Sequence, residues 1–151
     1  MAAGLSGSGW ADCFAPSLDD LELLARAALE TLPSPFRELV EGVPCAVAEF
    51  PDEETLAELG MESEFDLLGL FRGVGMTQEG DSAPTGRLPN QIWLYRRPIL
   101  DYWAENDDSL GTIVTHVLIH EIGHHFGFSD EDMEAIEAEA EAAERNLTRP
   151  D

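Results

Sequence analysis

The chain has 151 residues and a formal net charge of −23, and all eight of its basic residues are arginine. That length suits one domain with a real core, and that charge repels nucleic acid and anionic membrane surfaces, leaving neutral or cationic partners. Two cysteines, Cys13 and Cys45, exclude a disulfide scaffold; the absence of a convincing signal peptide or of an apolar stretch of membrane-spanning length points to a cytoplasmic setting.

Residues 1–16, rich in Gly, Ser and Ala, read as a flexible arm ahead of a single domain over 17–147. Ser17 and Asp20 form a capping-box pattern. Leu21, Leu24, Ala25, Ala28, Leu29 and Leu32 follow at helical spacing, and Pro33 and Pro35 close that helix. A short helical turn over Phe36–Glu41 precedes Val43–Phe50, an apolar segment that reads as a buried strand. Asp52 caps a short helix through Leu59, with Gly60 as its stop. Leu67–Val74 is a second strand, weakened by Gly69 and Gly73. Residues 75–90 form the longest polar gap, and gaps of that length are often functional. Gln91–Arg96 is a third strand, and Pro98 suits the first turn of a helix reaching Trp103.

Leu110–Phe126 is the strongest helix. Its apolar residues cover most of the circumference, which predicts burial. Ser129 and Asp132 then open a final acidic helix to about Glu144.

The chemistry concentrates at His120-Glu121-Ile122-Gly123-His124-His125-Phe126-Gly127-Phe128-Ser129-Asp130. His120 and His124 are one turn apart on one helix face and fit as ligands of a single zinc ion. Glu121 lies beside them, where a base for activated water belongs. A carboxylate in an apolar helix is costly unless paired or linked to a metal, which favours a functional reading of Glu121. Gly127 can take a positive φ and end the helix, turning the chain so that Asp130 supplies a third ligand. A glutamate of the last helix, such as Glu141 or Glu144, is the rival for that place. His116, one further turn back, lies too far from His124 to share an ion with it. It reads as packed in the core, supporting a ligand or contacting substrate. His125 reads as a packed histidine. Tyr95, Arg96 and Arg97 could approach the cleft, although the two arginines more often pair with surface acids. Gln91–Tyr95 could receive an extended peptide if it forms a sheet edge.

These residues imply a zinc-dependent hydrolase acting on a peptide or protein substrate. Two other readings stand beside it: a non-catalytic zinc-binding or regulatory module, and a zinc hydrolase of a small-molecule amide. The motif block resembles that of the small bacterial zincin-like metallopeptidases with a matrix-metalloprotease-like domain. The similarity extends through Leu67–Phe71 and Leu94–Leu100. It implies a minimal α+β zincin-like fold, with a small mixed β-sheet packed on the active-site helix. It also implies Zn²⁺ at His120, His124 and Asp130, with Glu121 as general base. The broader metzincins carry histidine where Asp130 stands and add a methionine turn; Met133 follows too closely to be assigned that turn.

Overall fold

The computed structural model describes residues 7–73 and 90–148, with backbone alone for 7–8 and 144–148. Most of the polar gap over 75–90, the first six residues of the expected arm and the side chain of Glu144 therefore lie outside the described residues.

Among the described residues there are seven α-helices and three strands: α1 (Gly7–Ala11), α2 (Leu18–Glu30), α3 (Phe36–Leu39), β1 (Cys45–Ala48), α4 (Glu53–Leu59), β2 (Gly69–Arg72), β3 (Gln91–Tyr95), α5 (Arg96–Glu105), α6 (Leu110–Phe126) and α7 (Asp130–Thr148). A 3₁₀ turn covers Glu64–Asp66. The fold is α+β, as expected. Local signals set most boundaries. Ser17 Oγ accepts from the Asp20 N–H while the Asp20 carboxylate accepts from the Ser17 N–H, a complete capping box. Asp52 caps α4, and Gly60 ends it with φ 68°. The 3₁₀ turn and α1 carry too little periodicity to be predicted.

The sheet has the order β1-β3-β2. β1 runs parallel to β3, pairing Cys45 with Ile92, and β2 runs antiparallel to it, pairing Gly69 with Leu94. Gln91–Tyr95 is thus the central strand, and its backbone groups are engaged on both sides. It is not an edge, so it cannot receive an extended peptide. Its Ile92 and Leu94 are fully buried, as a central strand under helices requires.

Helix α2 packs on β1, α6 packs on β2, and α7 lies along α6. Leu21, Phe36, Ile113, Leu118, Ile119 and Ile122 are fully buried where these layers meet. Gly69 explains its own place in a strand: a Cβ there would stand 2.7 Å from Val117 Cγ1 and 3.1 Å from Leu94 Cδ2, so its absence lets β2 close on α6. No helix is long and apolar enough to cross a membrane.

Candidate metal centre

Helix α6 builds the site. Ser109 Oγ accepts from the Thr112 N–H at its start. Gly127, with φ 81°, ends it in the left-handed conformation. Ile113, Val114, Val117, Leu118, Ile119, Ile122 and Gly123 turn inward. The stripe left at the surface contains His116, His120 and His124, at i, i+4 and i+8.

The spacing of the rings along this stripe is uneven. His116 and His120 have centroids 4.2 Å apart, whereas His120 and His124 stand 5.9 Å apart with their planes at 75°. His124 is exposed. The closer pair is joined by Glu137 of α7. One carboxylate oxygen is hydrogen-bonded to His116 Nδ1, and the other lies 3.4 Å from His120 Nε2. The side chains of His116, His120 and Glu137 are 44%, 26% and 19% exposed, so solvent reaches this place. Their ligand atoms lie within 4.8 Å of one another, and among the described residues they form the group able to hold a metal ion. Two imidazoles and one carboxylate are a donor set that zinc accepts.

Glu137 is brought to the stripe by the corner between α6 and α7. The Phe128 N–H donates to Gly123 O at 2.8 Å, and Ser129 Oγ caps α7 by accepting from the Asp132 N–H. Met133 is fully buried beneath Gly123 and close to Phe36. Glu137 is one turn further along α7 on the same face. Met133 thus serves as a packing residue of this corner.

Glu121 is next to His120 and is half-buried. Burial pushes its carboxyl up to about 7. Among the described residues no arginine or histidine forms an ion pair with it. A carboxyl that changes charge near neutral pH is suited to taking and returning a proton. Tyr95, buried at the end of β3, has its phenol raised chiefly by burial. Arg72 acts on it in the opposite sense, while Asp52 and Glu121 add to the rise. Tyr95 is therefore in electrostatic reach of Glu121, consistent with an approach to the cleft.

Asp130 is the first residue of α7 and is exposed, with Glu131 and Asp132 in the same first turn. It is not a member of the His116–His120–Glu137 group. Glu141 is likewise exposed. His125 stacks on Phe71 with centroids 4.0 Å apart, the packed role expected of it, and its burial holds its pKa down. Arg96 bonds the Glu49 carboxylate at 3.0 Å and donates to the Pro16 carbonyl at 2.6 Å, while Arg97 lies over the Phe50 ring. Both arginines are thus committed to structural contacts.

Glu137 was missed in the sequence because every position of the last helix is near a glutamate. The usable signal is its register. It sits at i+4 from Met133 and beside Ile136, both inward-facing. His116 reads in the sequence as a core, ligand-supporting or substrate-contacting residue; the structure leaves it half-exposed and brings it into the group with His120 and Glu137.

Residues 40–140, well over half of the chain, match the zincin-like metallopeptidase family. No curated protein matches the chain.

Proposed function

The chain belongs to the zincin-like metallopeptidase family, and we propose that it is a zinc-dependent peptidase in which His120 and His124 hold the ion, Asp130 is the third ligand and Glu121 is the general base. Family membership supports a peptide substrate, and His116, His120 and Glu137 on α6 and α7 fit a zinc site. Bound zinc would supply Lewis acidity for water and for the scissile carbonyl. The protein's own groups do the rest. The α6 stripe presents His120 and His124 to solvent on one face, while Gly127 turns the chain toward Asp130. Glu121 would take a proton from the attacking water and return it to the leaving amine. Tyr95 would present its hydroxyl near that exchange.

The observation that carries this reading is the position of Glu121. It is a half-buried carboxyl without an ion-pair partner among the described residues, adjacent in sequence to an imidazole of the possible metal group. A purely structural role would leave its burial uncompensated. The test compares wild type with Glu121→Gln, measuring bound zinc and cleavage of a peptide pool. Retained zinc with cleavage lost supports the peptidase. Zinc bound by both proteins with no cleavage by either would favour a non-catalytic zinc-binding module instead.

A further inference from the structure

Three imidazoles one turn apart cannot all serve one ion. At about 1.5 Å of rise per residue, the ends of the stripe, His116 and His124, are roughly 12 Å apart along the axis. His120 is the middle ring and the neighbour of both. It leans to the His116 side, with centroids at 4.2 Å against 5.9 Å on the other. On that side Glu137 already spans the pair, touching His116 Nδ1 with one oxygen and approaching His120 Nε2 at 3.4 Å with the other. Three donors thus converge from two helices held by the Gly123–Met133 contact. A neutral imidazole has one unprotonated ring nitrogen and so binds one ion.

We propose that the stripe offers a divalent cation two mutually exclusive seats: one on His120 and His124, and a second made by His116, His120 and Glu137. The proposal rests on the reading of His120 and His124 as ligands of the peptidase zinc. Because His120 belongs to both, each chain holds one ion, in one seat or the other. The second seat is a turn nearer the start of α6, whereas Glu121 stands between His120 and His124 in the sequence. An ion there is held by three protein groups but set back from the base, so the second seat is a resting position for the metal.

The experiment titrates the metal-free full-length protein with Zn²⁺ alone, in competition with a chromophoric chelator. Circular dichroism confirms the fold of each variant. Wild type should take up one equivalent. His124→Ala should still bind one equivalent, more weakly, through the second seat. Adding Glu137→Gln to His124→Ala should weaken binding by at least a further tenfold. Adding His116→Ala instead should do the same, and that half-exposed position is tolerant of change. His116→Ala/Glu137→Gln, with the first seat intact, should bind one equivalent within a few-fold of wild type.

Equal affinities for His124→Ala and His124→Ala/Glu137→Gln would remove the second seat. Two equivalents in wild type would show independent sites and remove the exclusivity. Wild-type affinity in His124→Ala, with loss of zinc in His116→Ala/Glu137→Gln, would overturn the shared arrangement by leaving one seat alone. Peptide cleavage enters none of these readouts, so an inactive wild type would count against the peptidase and not against the seats.

Discussion

Replacing Gly123 with alanine tests how the α6–α7 corner positions Glu137. In an ordinary helix interior the change would stabilise by about 1 kcal/mol through helix propensity. Here the new Cβ would stand 2.6 Å from Met133 Cγ, closer still to Met133 Sδ, and 3.4 Å from Phe36 Cζ. Met133 and Phe36 are fully buried, so neither can swing into solvent. Overpacking of this kind costs about 1–3 kcal/mol. Against the propensity gain, a net loss of up to about 2 kcal/mol remains. For a chain of this size each kcal/mol moves Tm by about 2–4 °C. Thermal unfolding of metal-free Gly123→Ala should therefore begin several degrees below wild type. Truncating the obstacle in the double variant Gly123→Ala/Met133→Ala should cost less than the sum of the two single losses. In the His124→Ala background zinc affinity should fall as well, because α7 carries Glu137 and must shift outward. A Tm equal to or above that of wild type would refute the close packing of this corner.

Gly69→Ala should destabilise by about 1–3 kcal/mol in urea unfolding, because its Cβ would crowd Val117 and Leu94; Val117→Ala in the same background should recover part of the loss. Glu121 should make the stability of the metal-free protein depend on pH. Its folded-state carboxyl titrates near 7 against an ordinary 4.5, so the folded chain holds the proton more tightly than the unfolded one. That contribution is complete below the ordinary value and is lost as pH rises through the folded one. Relative to Glu121→Gln, metal-free wild type should lose about 2 kcal/mol between about pH 5 and 8, and parallel stability curves for the two proteins would contradict it. Asp130→Ala should weaken zinc binding by more than tenfold if Asp130 is the third ligand, whereas loss of its helix-dipole contribution alone would cost less than about 1 kcal/mol of stability and leave zinc affinity unchanged.

Elements defined by local chemistry were legible in the sequence. Ser17 with Asp20, Asp52 with Gly60, and Gly127 mark helix ends through caps that act within a few residues. The α6 helix could be read residue for residue because apolar residues cover most of its circumference up to the stop at Gly127. Sheet order was not legible, since the placing of Gln91–Tyr95 between two strands depends on pairings across 47 positions with Cys45–Ala48 and across a long connection with Gly69–Arg72. At the site, the sequence revealed what one helix presents: His120, Glu121 and His124. It did not reveal Glu137, which reaches the stripe only because α7 folds back over Gly123, and a helix so rich in glutamate gives spacing little power to single one out. Asp130 was expected from a turn signal, and the turn forms at Gly127 with φ 81°. Asp130 itself is exposed in the first turn of α7.

The central claim is that a zinc ion rests on the histidine stripe of α6, with His120 indispensable in either seat. Zinc per chain, measured by elemental mass spectrometry on folded wild type and folded His120→Ala, tests it most directly. One equivalent in wild type and none in His120→Ala is the expected result. A His120→Ala protein that keeps a full equivalent would contradict it.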